Sequence, residues 1–301
     1  MTLEAGSREA LGIGGERLSV GKKTRLTAFA AAAALFAVGA AVSARHLGLS
    51  FRQVRWAYVV AVGVFGFPGT FCLNALELCR VGAALGAPFR FFEAVKVVLI
   101  GAAANLLPLP GAAITRVAAL RAKGVPVPKG SALVIGLFCL WAGLASALLG
   151  LGLAARELPE WGMVGVLACP VLLAVGSVLL VRTGVAPRNL PLLLLIRTGA
   201  LLVDVGRFWA CLRAVGVASD LSQAAVLVAS QIVGSAVGFA PGGLGIQESG
   251  AAALALAAGL PASAGFLAAG VNRLINSVLL GPWMVAAWRR DAERHDAMAA
   301  G

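Results

Sequence analysis

Eight charged side chains fall inside or beside sequence apolar enough to lie in lipid: Glu93, Lys96, Arg116, Arg197, Asp204, Arg207, Glu248 and Arg273. A charge at that depth is expensive and must face protein or water, so it marks a functional site by default. Five cations against three acids leave a net +2. An excess of arginine suits a phosphate group, which a guanidinium holds in a two-pronged fork. Arg197, Asp204 and Arg207 are spaced to share one helical face, which then looks into a bundle. Asn272, Arg273 and Asn276 lie together in the last apolar segment and extend the polar lining. Read blandly, the same charges pair with one another, Asp204 with Arg207 first, and only fix helix packing. Glu93 and Lys96 stand one helical turn apart and can satisfy each other.

Two breaks must position these groups. One runs from Pro241 through Gly242, Gly243 and Gly245 to Glu248, between apolar stretches at 224–239 and 251–259. Pro241 ends any helix arriving from Leu221, and the glycines let the chain turn where a side chain would block it. The other runs from Asn105 through Pro108 and Pro110 to Gly111, with Arg116 in the helix beyond. Irregular backbone at membrane depth survives only when protein buries it or it lines a wet cavity. Each stretch, about 89–123 and about 221–260, therefore reads as a re-entrant helix–break–helix. Half-helix N-termini at Gly111 and Gly245 add oriented N–H donors for an anion. The ordinary alternative is a surface loop between two spans.

Composition sets the frame. The chain has 301 residues, 60% hydrophobic and 13% charged, with mean hydropathy +0.92. That excludes a soluble domain and predicts an all-α polytopic membrane protein, since about 20 apolar residues cross a bilayer as helix. The alternation of a strand barrel is absent. About six full spans are expected, near 26–44, 56–76 (kinked near Pro68), 131–155, 162–182, 191–213 and 263–288. The first lacks a convincing cleavage site and reads as a retained span. Residues 26–288 form one transmembrane domain, between a disordered cytoplasmic tail at 1–25 and a basic cytoplasmic tail at 289–301.

Five scattered cysteines and two histidines outside the spans give no metal-ligand spacing and no nucleophilic triad. No catalytic residue, metal or cofactor is expected. The net charge of +12 reflects cytoplasmic loops rather than nucleic acid. With the N-terminus inside, fifteen Lys and Arg fall on cytoplasmic positions, Arg80, Lys129 and Arg188 among them, against five outside (Arg45, Arg52, Arg55, Arg156, Arg213). Both termini are then cytoplasmic, in a bacterial inner membrane.

The two breaks also resemble each other. Pro110-Gly111, a short apolar helix, Gly124-Val125-Pro126 and a long helix are matched by Pro241-Gly242, a short apolar helix, Gly259-Leu260-Pro261 and a long helix. Three spans between them would make the second enter from the opposite side. That is an inverted repeat, the plan by which transporters build midplane sites from broken helices.

Pro241-Gly-Gly-Leu-Gly-x-x-Glu248 resembles the signature of the flippase-like family that includes the membrane region of lysylphosphatidylglycerol synthases. Asn105-x-x-Pro108, with Arg116 beyond it, resembles the family's other motif. The resemblance covers roughly residues 25–290. It implies a lipid translocase fold moving aminoacylated phosphatidylglycerol, polyprenol-linked or hopanoid-type lipids. One departure is that Ala112 and Ala113 stand where the family often has Gly-Glu. Residues 289–301 leave no room for an aminoacyl-transfer domain, so no synthase activity is expected.

The residues expected to bind substrate are Glu248, Arg116, Arg273, Asn105, Gly242, Gly243, Gly245, Asn272, Asn276, Arg197, Asp204 and Arg207. The function expected is a flippase-like lipid transporter with no ATP-binding P-loop, in which Glu248 is the candidate carrier of a coupling proton. Its partners would be a membrane lipid with an anionic headgroup, a lipid-synthesising enzyme and a second copy of the chain; Gly234-x-x-x-Gly238 permits close helix packing, within the chain or between chains. Two alternatives remain: an intramembrane enzyme on a lipid phosphate, with Glu248 as base, and a non-catalytic subunit anchoring a partner.

Overall fold

A computed structural model describes residues 37–48, 51–105, 111–156, 159–236 and 245–299, with side chains up to residue 281. The tail at 1–25, most of the expected first span, and the tips of both breaks, including Pro108, Gly242 and Gly243, lie outside the described residues.

Among the described residues all regular structure is helical. Helix α1 occupies residues 37–46. Then follow α2 (Trp56–Ala84), α3 (Phe91–Ala104), α4 (Gly111–Ala122), α5 (Val127–Ala154) and α6 (Pro159–Arg182). The second half holds α7 (Leu190–Ala214), α8 (Leu221–Val228), α9 (Ser230–Ala236), α10 (Ile246–Ala257) and α11 (Ala262–Ala299). Five of these contain stretches long and apolar enough to cross a membrane: α2, α5, α6, α7 and α11. The chain is a multi-pass helical membrane protein.

Two expectations are corrected. The second span does not stop at 76; it runs to Ala84, because no helix-breaking residue intervenes before the left-handed Gly86. The last helix does not stop at Trp288; its charged segment continues to Ala299 as helix. The expected disturbance near Pro68 is a π-helical turn, Val62–Gly66, just ahead of it. Pro68 has no N–H to complete the regular ladder across that turn.

The same order of elements occurs twice. Helices α2 and α7 both end in a positive-φ glycine, Gly86 and Gly216. The residue after each glycine donates back into the last turn, Ala87 to Gly82 at 2.8 Å and Val217 to Leu212 at 3.0 Å. Such a left-handed close satisfies carbonyls that the helix end would leave bare. Four residues beyond each glycine a new helix starts, at Arg90 and at Asp220. Glu93 accepts from the Arg90 N–H at 3.3 Å, and Gln223 from the Asp220 N–H at 3.1 Å. Each new helix opens the first arm of a hairpin, α3 against α4 and α8 with α9 against α10. A glycine in the first arm lets the second arm's opening turn come close. A Cβ on Gly101 would sit 3.0 Å from Ala112 Cα, and one on Gly234 2.9 Å from Gln247 Cβ. A long helix, α5 or α11, follows each hairpin.

Both hairpins are fastened at the base. Lys123, just past α4, donates to the Pro88 carbonyl at 2.8 Å and pairs with Glu93 at 3.0 Å. The expected Glu93–Lys96 pair is thus replaced by a contact across the hairpin, and Lys96 is exposed. In the second hairpin Gln223 donates to the Ala258 carbonyl at 3.0 Å. Asp220 there caps α8, accepting from Gln223 N–H at 2.8 Å, and pairs with Arg156 at the end of α5.

Each half has its own apolar core. One gathers Leu78, Leu120, Leu133, Leu137 and Leu193 around the first hairpin; the other gathers Phe208, Leu227, Ala251, Ala264 and Ala268 around the second. Helix α7 contributes to both. Helix α6 packs on α5 through small residues, Gly136 against Gly176 and Gly150 against Gly162 and Gly165.

The hydroxyl of Ser222, the Gln223 N–H and Arg156 hold the Asp220 carboxyl below its usual range. Its contribution to stability is then complete above the ordinary Asp range near 3.9 and is lost as pH falls through the lowered folded value. Asp220→Ala should cost about 1 kcal/mol at neutral pH, as lost helix caps do. The gap to wild type should close in strong acid. Thermal unfolding in detergent across a pH series measures it, and a gap that does not change with pH would contradict this account.

Candidate functional site

Three charge clusters lie in the bundle; the first two join helices far apart in sequence, and the third joins the consecutive helices α10 and α11. The first centres on Glu77 of α2, whose side chain is 1% exposed. Its Oε2 meets Arg116 Nη1 of α4 at 3.4 Å, and its Oε1 pairs with Nε of Arg197 on α7. Asn74, one turn earlier, accepts from Arg116 Nη2 at 2.8 Å. Two guanidiniums therefore share one carboxylate. Among the described residues no other carboxylate pairs with either arginine.

The second cluster surrounds Arg207. Its Nη1 donates to Asp204 Oδ1 and to Thr70 Oγ1, each at 3.1 Å. Nε and Nη2 donate to Asn272 Oδ1 at 3.1 and 2.8 Å, and Nη2 also reaches Asn276 Oδ1 at 2.8 Å. The Thr70 hydroxyl donates to Asp204 at 3.2 Å. This neutral network ties α2, α7 and α11 together. Gly66, in the π turn, makes room for it: a Cβ there would overlap Arg207 Cγ and lie 2.9 Å from its Cδ.

The third cluster is Glu248 with Arg273. Glu248 is fully buried on the first turn of α10. Its Oε1 lies 2.6 Å from Arg273 Nε, and its Oε2 accepts from the Gly245 N–H at 2.8 Å. Gly245, at φ +83°, directs that N–H inward as the N-cap. Arg273 Nη2 also donates to Gln247 Oε1 at 3.2 Å.

The clusters are connected. Asn74 Nδ2 donates to the Thr70 carbonyl at 2.8 Å, which joins the first to the second. Asn272 and Arg273 are neighbours on α11, which joins the second to the third.

The single pocket expected from sequence is thus divided. Arg197, Asp204 and Arg207 share a buried face of α7, but Arg197 turns to Glu77 while Asp204 and Arg207 pair. Arg116 pairs with Glu77, and Arg273 with Glu248. Asn105 Oδ1 accepts from the Ala112 N–H at 2.8 Å and so caps α4 across the break. Gly242 and Gly243 lie outside the described residues. Glu77, with Thr70, Asn74 and Gln247, is absent from the sequence reading. Closing the second span at 76 turned Glu77 into a loop residue. A signal existed: Asn74 and Glu77 stand as far ahead of Gly86 as Asp204 and Arg207 stand ahead of Gly216. The tally changes too. With Glu93 and Lys96 at the rim and Glu77 inside, four arginines face three acids, and the net +2 becomes +1.

Residues 181–282 match the family model described as the lysylphosphatidylglycerol synthase TM region. This agrees with the resemblance carried by Pro241 to Glu248. The matched stretch holds α7, the second hairpin and the start of α11, and so the second and third clusters complete except for Thr70. Glu77 and Arg116 lie ahead of it. No curated protein and no solved structure matches the chain.

The charge imbalance predicts an unusual ranking. Removing one partner of a buried pair typically costs about 3–5 kcal/mol. Glu77→Gln should cost at least that, because it strands two guanidiniums. Arg116→Gln should cost much less, since Glu77 and Arg197 remain as a neutral pair. Adding Arg116→Gln to Glu77→Gln should recover part of the loss. Thermal melts of the three variants in one detergent test it; equal losses for both single variants would contradict the imbalance.

Proposed function

We propose that this chain is a flippase-like lipid transporter rather than an enzyme. Its substrate would be a lipid with an anionic headgroup: an anionic or aminoacylated phospholipid, or a phosphate-bearing polyprenol- or hopanoid-type lipid. The observation that carries this reading is the unmatched charge at Glu77, Arg116 and Arg197. A bundle in lipid gains by closing such an imbalance with an anion, and a phosphate on Arg116 does so. The 3.4 Å contact with Glu77 is the looser side of the cluster and the place where a phosphate would compete. The side chains of Arg116 and Arg273 retain 14% and 12% exposure, which supports a headgroup reaching them.

The two hairpins fit the same reading. Their arms, Phe91–Ala104 with Gly111–Ala122 and Leu221–Ala236 with Ile246–Ala257, are short of a full crossing. We take both as re-entrant, entering from opposite faces as an inverted repeat. The headgroup would pass between them while acyl chains stay in lipid. The matched TM-region family supports a lipid as cargo. With the basic loops inside, both termini are cytoplasmic in a bacterial inner membrane. A lipid-synthesising enzyme would supply the cargo on one face, and Glu248 would carry a coupling proton.

The test is a flip assay on sealed vesicles holding the full chain and fluorescent phosphatidylglycerol. Wild type should speed loss of inner-leaflet protection well above empty vesicles. Arg116→Gln should remove most of that increment, and Glu248→Gln should remove its pH dependence. Wild-type vesicles no faster than empty ones would overturn the transport reading, and an unchanged pH profile in Glu248→Gln would overturn the proton role.

A further inference from the structure

Away from the three clusters, a cavity of about 400 Å³ opens where α2 and α6 end and α7 begins. Pockets of ~300–1,000 Å³ are the usual size for small ligands and headgroups. Arg80, Arg188 and Asn189 line it, with Ala84, Leu192 and Leu193 as apolar wall. Lys129 adds a third cation at the margin: its Nζ lies 3.5 Å from where a Cβ on Gly184 would be.

Arg80, Arg188 and Lys129 are all exposed, so the hollow opens outward. Arg80 and Arg188 come from different helices yet line one concavity. Neither side chain makes a hydrogen bond or ion pair with a described residue, whereas those of Arg116, Arg156, Arg197, Arg207 and Arg273 all do. The two helix ends beside it are already closed by their own backbone, through Ala87 N–H to Gly82 and Val185 N–H to Leu180. Those carbonyls therefore do not occupy the guanidiniums. Helix α7 presents its N-terminal end, which carries partial positive charge. The position, at the limits of three apolar spans, is headgroup depth.

We propose that this cavity is a second, separate anion site, which binds the phosphodiester of an anionic phospholipid at the membrane surface. Arg80 and Arg188 hold the phosphate oxygens from two sides, and the exposed Leu192 receives the glycerol and first acyl carbons. A soluble phosphate compound presents the same chemistry to the arginines. The site does not depend on the transport reading. It bears on the bundle because Arg80 shares α2 with Glu77 and Arg188 leads into the helix that carries Arg197.

The test is native mass spectrometry of the full chain, titrated with phosphatidylglycerol, phosphatidylcholine or inorganic phosphate. Wild type should retain phosphatidylglycerol, and R80Q/R188Q should weaken that retention about tenfold, equivalent to ~1.4 kcal/mol. Retention of phosphatidylcholine should not change between them. If the double variant aggregates, Arg188→Gln alone should show a smaller loss in the same direction. Displacement of phosphatidylglycerol by inorganic phosphate would identify a soluble phosphate as the occupant; no displacement would assign the lipid. Equal retention by wild type and the Arg80 and Arg188 variants overturns the proposal. A loss confined to Arg116→Gln also overturns it, and leaves the transport reading standing.

Discussion

One carboxylate shared by two guanidiniums is the constraint around which the rest is arranged. In a low-dielectric interior an unpaired charge is costly enough to dictate which helices meet. Glu77 can serve both Arg116 and Arg197 only if α2, α4 and α7 converge. That convergence requires α4 to start close to α2, which the break after Asn105 permits and the Asn105 cap on Ala112 secures. It also requires α2 to lie close along α7, where Gly66 accommodates the stem of Arg207. The network of Thr70, Asp204, Arg207, Asn272 and Asn276 then fixes α11 against the same pair.

The two halves share a plan and differ in their chemistry. Counting back from the left-handed glycines that close the hairpins, Ala113 stands before Gly124 as Glu248 stands before Gly259. The first hairpin therefore has no acid of its own where the second has one. Its arginine takes a counter-charge from a neighbouring span, Glu77, and shares it with Arg197. In the second half the acid and its arginine match one to one. The asymmetry leaves the surplus charge in one half, and this is where a negatively charged headgroup gains most.

Much of this was legible in the sequence. Long apolar runs gave the five helices long enough to cross a membrane, and the spacing of Arg197, Asp204 and Arg207 gave their common buried face. Local signals of this kind depend on backbone chemistry and helical period, which a sequence carries directly. Partner choice is different. Glu93 turned to Lys123 rather than Lys96 because the hairpin brings its two ends together, and no local spacing encodes that. Glu77 escaped because the second span was expected to close at 76, one residue short of it, while the helix runs on to Ala84. Asn105 was expected among the binding residues by type; its Oδ1 caps the start of α4, a contact across the break that no local spacing encodes.

The most direct measurement is an experimental structure of the full chain in a bilayer containing phosphatidylglycerol. The account predicts headgroup density against Arg116, with that guanidinium turned from Glu77 toward phosphate and the Glu77–Arg197 pair retained. Arg116 seated on Glu77 in every particle, with acyl density only and no headgroup near the cluster, would contradict it.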